Sequence, residues 1–230
     1  MFRADGLAAG VCVCATALAA SLGLTRPAAG EWPVPQTAVE MTVVWVDLCE
    51  TPAGLREATA RHIQDVLRPA AIRVSSRNVV AGWGGPIEGV MVVLMGSTQP
   101  RGPGHSAGGA AGRRAATQPT VWVFPRAVAG GLGLDLARST RWTALERYEF
   151  GRALAMVVLH ELAHTLVGVG HRRQGFLSDG LRRSDLVDPH LTVDPDLLSA
   201  FREAVADPEA AAREAPTGGG MPLRAALWWR

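Results

Sequence analysis

The sequence predicts a mixed α/β (α+β) fold, a twisted sheet with packed helices, on three observations. A strand, a helix and a second strand follow one another within residues 41–75. Two further short apolar strands stand at 90–95 and 120–124, and one long apolar helix runs without proline from residue 143 to about residue 167. Strands alternating with helices bury their apolar faces as stacked layers.

Taken in order, residues 41–48 (MTVVWVDL) are β-branched and apolar throughout, as suits a strand buried on both faces. Over 53–68, Leu55, Ala58, Ile63 and Leu67 recur at helical spacing, and Pro69 stops the helix. Residues 70–75 form the second strand and 90–95 (VMVVLM) the third. The segment 96–119 differs in kind: rich in Gly, Ala, Pro, Ser and Arg and without a period, it is expected to be a flexible loop. After the strand 120–124, Thr143 and Glu146 make a capping box. Leu145, Leu154, Val157, Val158 and Leu162 carry the helix to Gly168 and Gly170, which end it. One more helix is expected within 191–206, and 207–230 reads as a C-terminal tail in which Trp228 and Trp229 stand out.

Residues 31–206 are thus expected to be the folded domain. Residues 1–30 read as a signal peptide or an N-terminal anchor: Arg3 precedes the apolar run 7–24, and Pro27, Ala28, Ala29 and Gly30 suit signal peptidase. Either reading places the domain outside the cytoplasm, secreted or held at a membrane by an uncleaved leader. Cys12 and Cys14 lie in that leader, which leaves Cys49 alone in the domain and without an internal disulfide. The 23 basic residues, all arginine, nearly balance 21 acidic ones, and a net charge of +2 gives no basis for a nucleic-acid partner. A monomer is expected.

The chemistry is concentrated in His160-Glu161-Leu162-Ala163-His164, inside the strongest helix. Residues four apart share a helix face, so His160 and His164 can each direct one nitrogen at a single ion, and neutral imidazole suits zinc. Glu161 flanks that face, where a carboxylate can take a proton from water made acidic by the cation and return it to a leaving amine. Beyond His164, Gly168 can turn the chain sharply, and His171 stands three residues later. Asp179, Asp185, His190 and Glu203 are the alternatives to His171 as third ligand. His62 sits among charges and reads as a solvated helix residue; His105 lies in the glycine-rich loop. Arg172 and Arg173 read as exposed arginines.

The run from His160 to His171 resembles the metzincin metallopeptidases, whose pattern is H-E-x-x-H-x-x-G-x-x-H. One additional residue, Val167 or a neighbour, precedes Gly168, and Leu177 stands where that family carries the methionine of its Met-turn. A looser similarity to secreted bacterial metzincin-like proteins extends over about 41–186, with the specific part confined to 160–171. The resemblance implies a zincin-like α/β domain, Zn2+ held by His160, His164 and His171, Glu161 as general base, and hydrolysis of peptide bonds in a peptide or protein substrate. The strand 120–124 is the expected edge for an extended substrate. Two other readings stay open: a secreted zinc-binding domain that no longer cleaves, and a membrane-tethered interaction protein in which the motif is accidental.

Overall fold

Four valines and a tryptophan within Val39–Asp47 make β1, and its place in the sheet follows from that composition. Val43, Val44 and Trp45 are buried in succession, which requires cover on both faces and neighbours on both edges. The computed structural model describes residues 37–79, 88–96, 109–114, 118–178, 181 and 183–208, with the backbone alone at 109–114 and 118. In it β1 lies between β2 (Ile72–Val79) and β3 (Val90–Leu94). The sheet continues through β5 (Gln118–Val123) to β4 (Gly109–Arg114), in the order β2-β1-β3-β5-β4. The first four strands are parallel, and β4 runs antiparallel to β5.

Between β1 and β2 the chain crosses as α1 (Ala53–Leu67), which buries Leu55, Thr59, Ile63 and Leu67 along one face. Pro69 ends it in a short 3-10 turn, and Ala71, at φ 53°, redirects the chain into β2. The loop before α1 is tied by polar contacts. Arg56 pairs with Asp47 and donates to the Thr51 carbonyl at 2.7 Å, while the Cys49 amide donates to Asp47 at 3.0 Å. Cys49 therefore sits half-buried in a polar turn, its sulfur 3.1 Å from Thr51 Oγ1. Burial is the largest cause pushing its thiol pKa up to about 11.

After β5 come α2 (Pro125–Gly131), a 3-10 turn (Leu136–Arg141) and the central helix α3 (Ala144–Leu162). The capping box is present: Glu146 N donates to Thr143 Oγ1 at 3.2 Å and Thr143 N to Glu146 Oε2 at 2.7 Å. The bond from the Thr143 backbone is the main reason the Glu146 carboxyl lies below its usual range. From Phe150 to Leu162 nearly every side chain of α3 is buried. Helix and following turn together are long and apolar enough to cross a membrane, but 83% of their most apolar 18 residues is covered by the surrounding protein, as in a core helix. Arg152, one of its few charges, donates to the carbonyls of Leu186 (2.7 Å) and Asp188 and so ties α4 (Arg183–Val187) to α3. The last helix, α5 (Pro195–Ala206), is capped by Asp194, which accepts from Asp196 N at 2.8 Å.

Several expectations change. Part of the segment expected as a loop over 96–119 forms β4, because a run of small residues can pair through its backbone without any side-chain period. With β4 on one side and β3 on the other, β5 is an interior strand and cannot be the substrate edge. His62 is half-buried where full exposure was expected: its ring meets Tyr148 edge-on at 4.8 Å, where α1 packs on α3. Burial is the main cause lowering its pKa. The helix expected within 191–206 is present as Pro195–Ala206, whereas α2, the 3-10 turn before α3 and α4 were not expected. The proposed leader 1–30, His105, Asp179 and the tryptophans of the tail lie outside the described residues.

Gly151 marks the closest approach of α1 to α3: a Cβ there would lie 2.9 Å from Ala58 Cβ and 3.4 Å from Ala58 C. Gly151→Ala is therefore expected to destabilise by about 1–3 kcal/mol despite alanine's better helix propensity. Urea unfolding measures this, and Ala58→Gly should restore part of the loss. With Cys12 and Cys14 changed to serine, alkylation of native Cys49 at pH 8 should run on the order of 100-fold slower than in urea, since only thiolate reacts. Equal rates would show that the polar turn does not shield the thiol.

Candidate metal centre

Two of the expected residues owe their positions to α3 itself. His160 lies in its last turn and His164 in the turn that continues it, with ring centroids at 4.6 Å; His160 is buried and His164 half-buried. The helix does not end as a regular one. Its final turn, Ala163–Val167, is a π turn, closed by Gly168 N donating to Ala163 O at 3.1 Å. Gly168, at φ 75°, then reverses the chain. Three residues on, exposed His171 returns to the helix, its Nε2 lying 3.3 Å from that of His160 and 3.1 Å from that of His164.

Backbone carbonyls set the direction of two rings. His160 Nδ1 lies 2.8 Å from Phe176 O, and His164 Nδ1 lies 2.6 Å from Val169 O. A carbonyl only accepts, so each Nδ1 carries a proton, and in the neutral form of each ring the Nε2 lone pair turns inward. Those two Nε2 atoms are 3.0 Å apart, acceptor facing acceptor, an arrangement that a shared cation relieves. Three nitrogens at ~2.0–2.1 Å from one zinc ion and at tetrahedral angles lie about 3.3 Å apart, close to the observed triangle. The donor set therefore fits a metal ion. Burial, together with the charge of neighbouring His171, lowers the His164 pKa against the opposing effect of the Val169 carbonyl.

The segment after His171 ties these pieces together. Gly175, at φ 81°, opens a tight turn in which Ser178 N donates to Gly175 O at 3.0 Å. Two successive carbonyls of this turn face the site: Phe176 O takes His160, and Leu177 O accepts from Arg172 N at 2.8 Å, next to His171. Phe176 and Leu177 are buried, with the Phe176 ring meeting His160 edge-on at 5.9 Å. Leu177 is thus part of the hydrophobic core, one residue past the carbonyl that takes His160.

Among the described residues, His160, His164 and His171 form the group able to hold a metal, their ligand atoms within 4.8 Å of one another. Asp185, His190 and Glu203 are not part of it; Glu203 and His190 are exposed, and the His190 amide is turned to Asp188 at 2.8 Å. Glu161 is buried at 7% exposure beside His160. Arg172 and Arg173 are exposed, as expected, with Arg172 4.0 Å from Asp194. The carbonyls of Phe176 and Val169 were missed, because backbone groups leave no mark in a sequence.

No family model and no curated protein matches the chain. Among solved structures, archaemetzincin from Methanopyrus kandleri is similar at 14% identity and a TM-score of 0.47, covering 73% of this chain and 97% of that one.

Nothing lies within 4 Å of a Cβ built on Gly175, so only its positive φ resists a side chain. Gly175→Ala should cost about 1 kcal/mol, with Gly175→Asn milder, since asparagine tolerates that conformation. By loosening the Phe176 carbonyl it should also weaken zinc affinity about 10-fold, as read by competition with a chromogenic chelator. Unchanged affinity would show that the carbonyl does not orient His160.

Proposed function

We propose that this chain is a zinc-dependent metallopeptidase in which Glu161 is the general base. The observation that carries the reading is the convergence of three imidazole Nε2 atoms within 3.3 Å beside a buried glutamate. His160, His164 and His171 would hold the ion. When bound, zinc would supply Lewis-acid polarisation of the scissile carbonyl and increase the acidity of water. The Phe176 and Val169 carbonyls keep two of the rings in the ligating tautomer. Glu161 takes the proton of the attacking water and delivers it to the leaving amine, a role for which it stands next to His160 in the chain.

An extended peptide substrate would add to the sheet at β4, which of the two edge strands, β2 and β4, is the one packed near the π turn. Secretion, or retention at a membrane by an uncleaved leader, belongs to the same proposal and rests on residues 1–30 alone. The protein would act as a monomer on peptide or protein substrates. Leu177 in the place of a methionine favours the competing reading, a secreted zinc-binding domain without activity.

One experiment separates these. Wild type and Glu161→Ala should each carry about one zinc per chain, while cleavage of a broad peptide library should fall ~10²–10⁴-fold in the variant. Zinc without cleavage in either protein would leave the binding domain as the answer. Absence of stoichiometric zinc in wild type would remove both.

A further inference from the structure

We infer that the π turn Ala163–Val167 is a positioning element that absorbs one residue between His164 and Gly168, so that His171 still reaches the other two imidazoles. This rests on the reading of the three histidines as metal ligands. Each residue of a regular α-helix turns the chain by about 100° and advances it ~1.5 Å. One residue added before Gly168 in such a helix would swing the exit of the chain about a quarter-turn around the axis. Widening the last turn to an i→i+5 bond holds the same exit with one residue more. The Gly168 N to Ala163 O bond, 3.1 Å across five positions, is that bond.

The turn is secured at both ends. Upstream, buried Thr165 donates its hydroxyl to Glu161 O at 2.8 Å, bracing the last α-helical turn where the ladder changes. Downstream, Val169 O, one residue past the left-handed glycine, accepts from His164 Nδ1 at 2.6 Å. The altered turn is therefore fastened to a histidine of the site, and the chain leaves it toward His171. The departure from the eleven-residue pattern H-E-x-x-H-x-x-G-x-x-H is compensated where it occurs.

The test uses the full chain and three variants: deletion of Val167, insertion of one alanine after Val167, and His171→Ala. Zn2+ affinity, the Co2+ absorption spectrum and Tm are measured for each. Deleting Val167 should let the turn become α-helical, leaving Zn2+ affinity within ~10-fold of wild type, the Co2+ spectrum unchanged in shape and Tm no lower. Insertion adds a residue that one π turn cannot absorb, and affinity should fall ~100-fold, to the level of His171→Ala. Deletion binding as weakly as His171→Ala, or insertion binding like wild type, would overturn the inference. A wild type that takes up no metal would remove the metallopeptidase reading instead. The turn would then be judged on Tm, where a loss above ~5 °C on deletion refutes it.

Discussion

Two hydrogen bonds to backbone carbonyls govern the orientation of the imidazoles around which the rest of the site is arranged. Phe176 O and Val169 O each take an Nδ1–H, and in doing so turn the Nε2 atoms of His160 and His164 toward one another. Without those acceptors the rings could rotate or change tautomer, and the close approach to His171 would have no partner geometry to meet. Both carbonyls belong to segments that follow the helix, so the site is completed by chain that the helix itself does not include.

The scaffold makes such an arrangement affordable. α3 is buried almost all round from Phe150 onward, held against α1 at Gly151 and against α4 by Arg152. A core helix of this kind has few ways to shift, and polar side chains on it need partners close at hand. His160 meets that need with a carbonyl from the turn at 175–178. The sheet contributes the other boundary. Its strands β1, β3 and β5 are interior, whereas β2 and β4 are the two edges, and β4 lies near the π turn that carries His164.

Much of this was legible because the local signals agreed with burial. β1 announced itself by consecutive β-branched residues, and the structure covers it on both sides. The capping box at Thr143 and Glu146 is a contact between near neighbours, so the start of α3 could be read directly. β4 was hidden for the opposite reason: its glycines and alanines carry no period, and its pairing with β5 is made by the backbone. His62 was misread because its partner Tyr148 is 86 positions away in the chain, on a different helix.

The sequence by itself determined that His160, Glu161 and His164 lie on one helical turn, because helical spacing is a local property, and that Gly168 ends the helix. Only the tertiary structure decided that His171 joins them, since its approach depends on the π turn and on where Gly168 sends the chain. It also decided which nitrogens face inward and which strands are the edges. Those outcomes depend on backbone carbonyls and on pairing between distant segments, and neither is encoded in the identity of any single side chain.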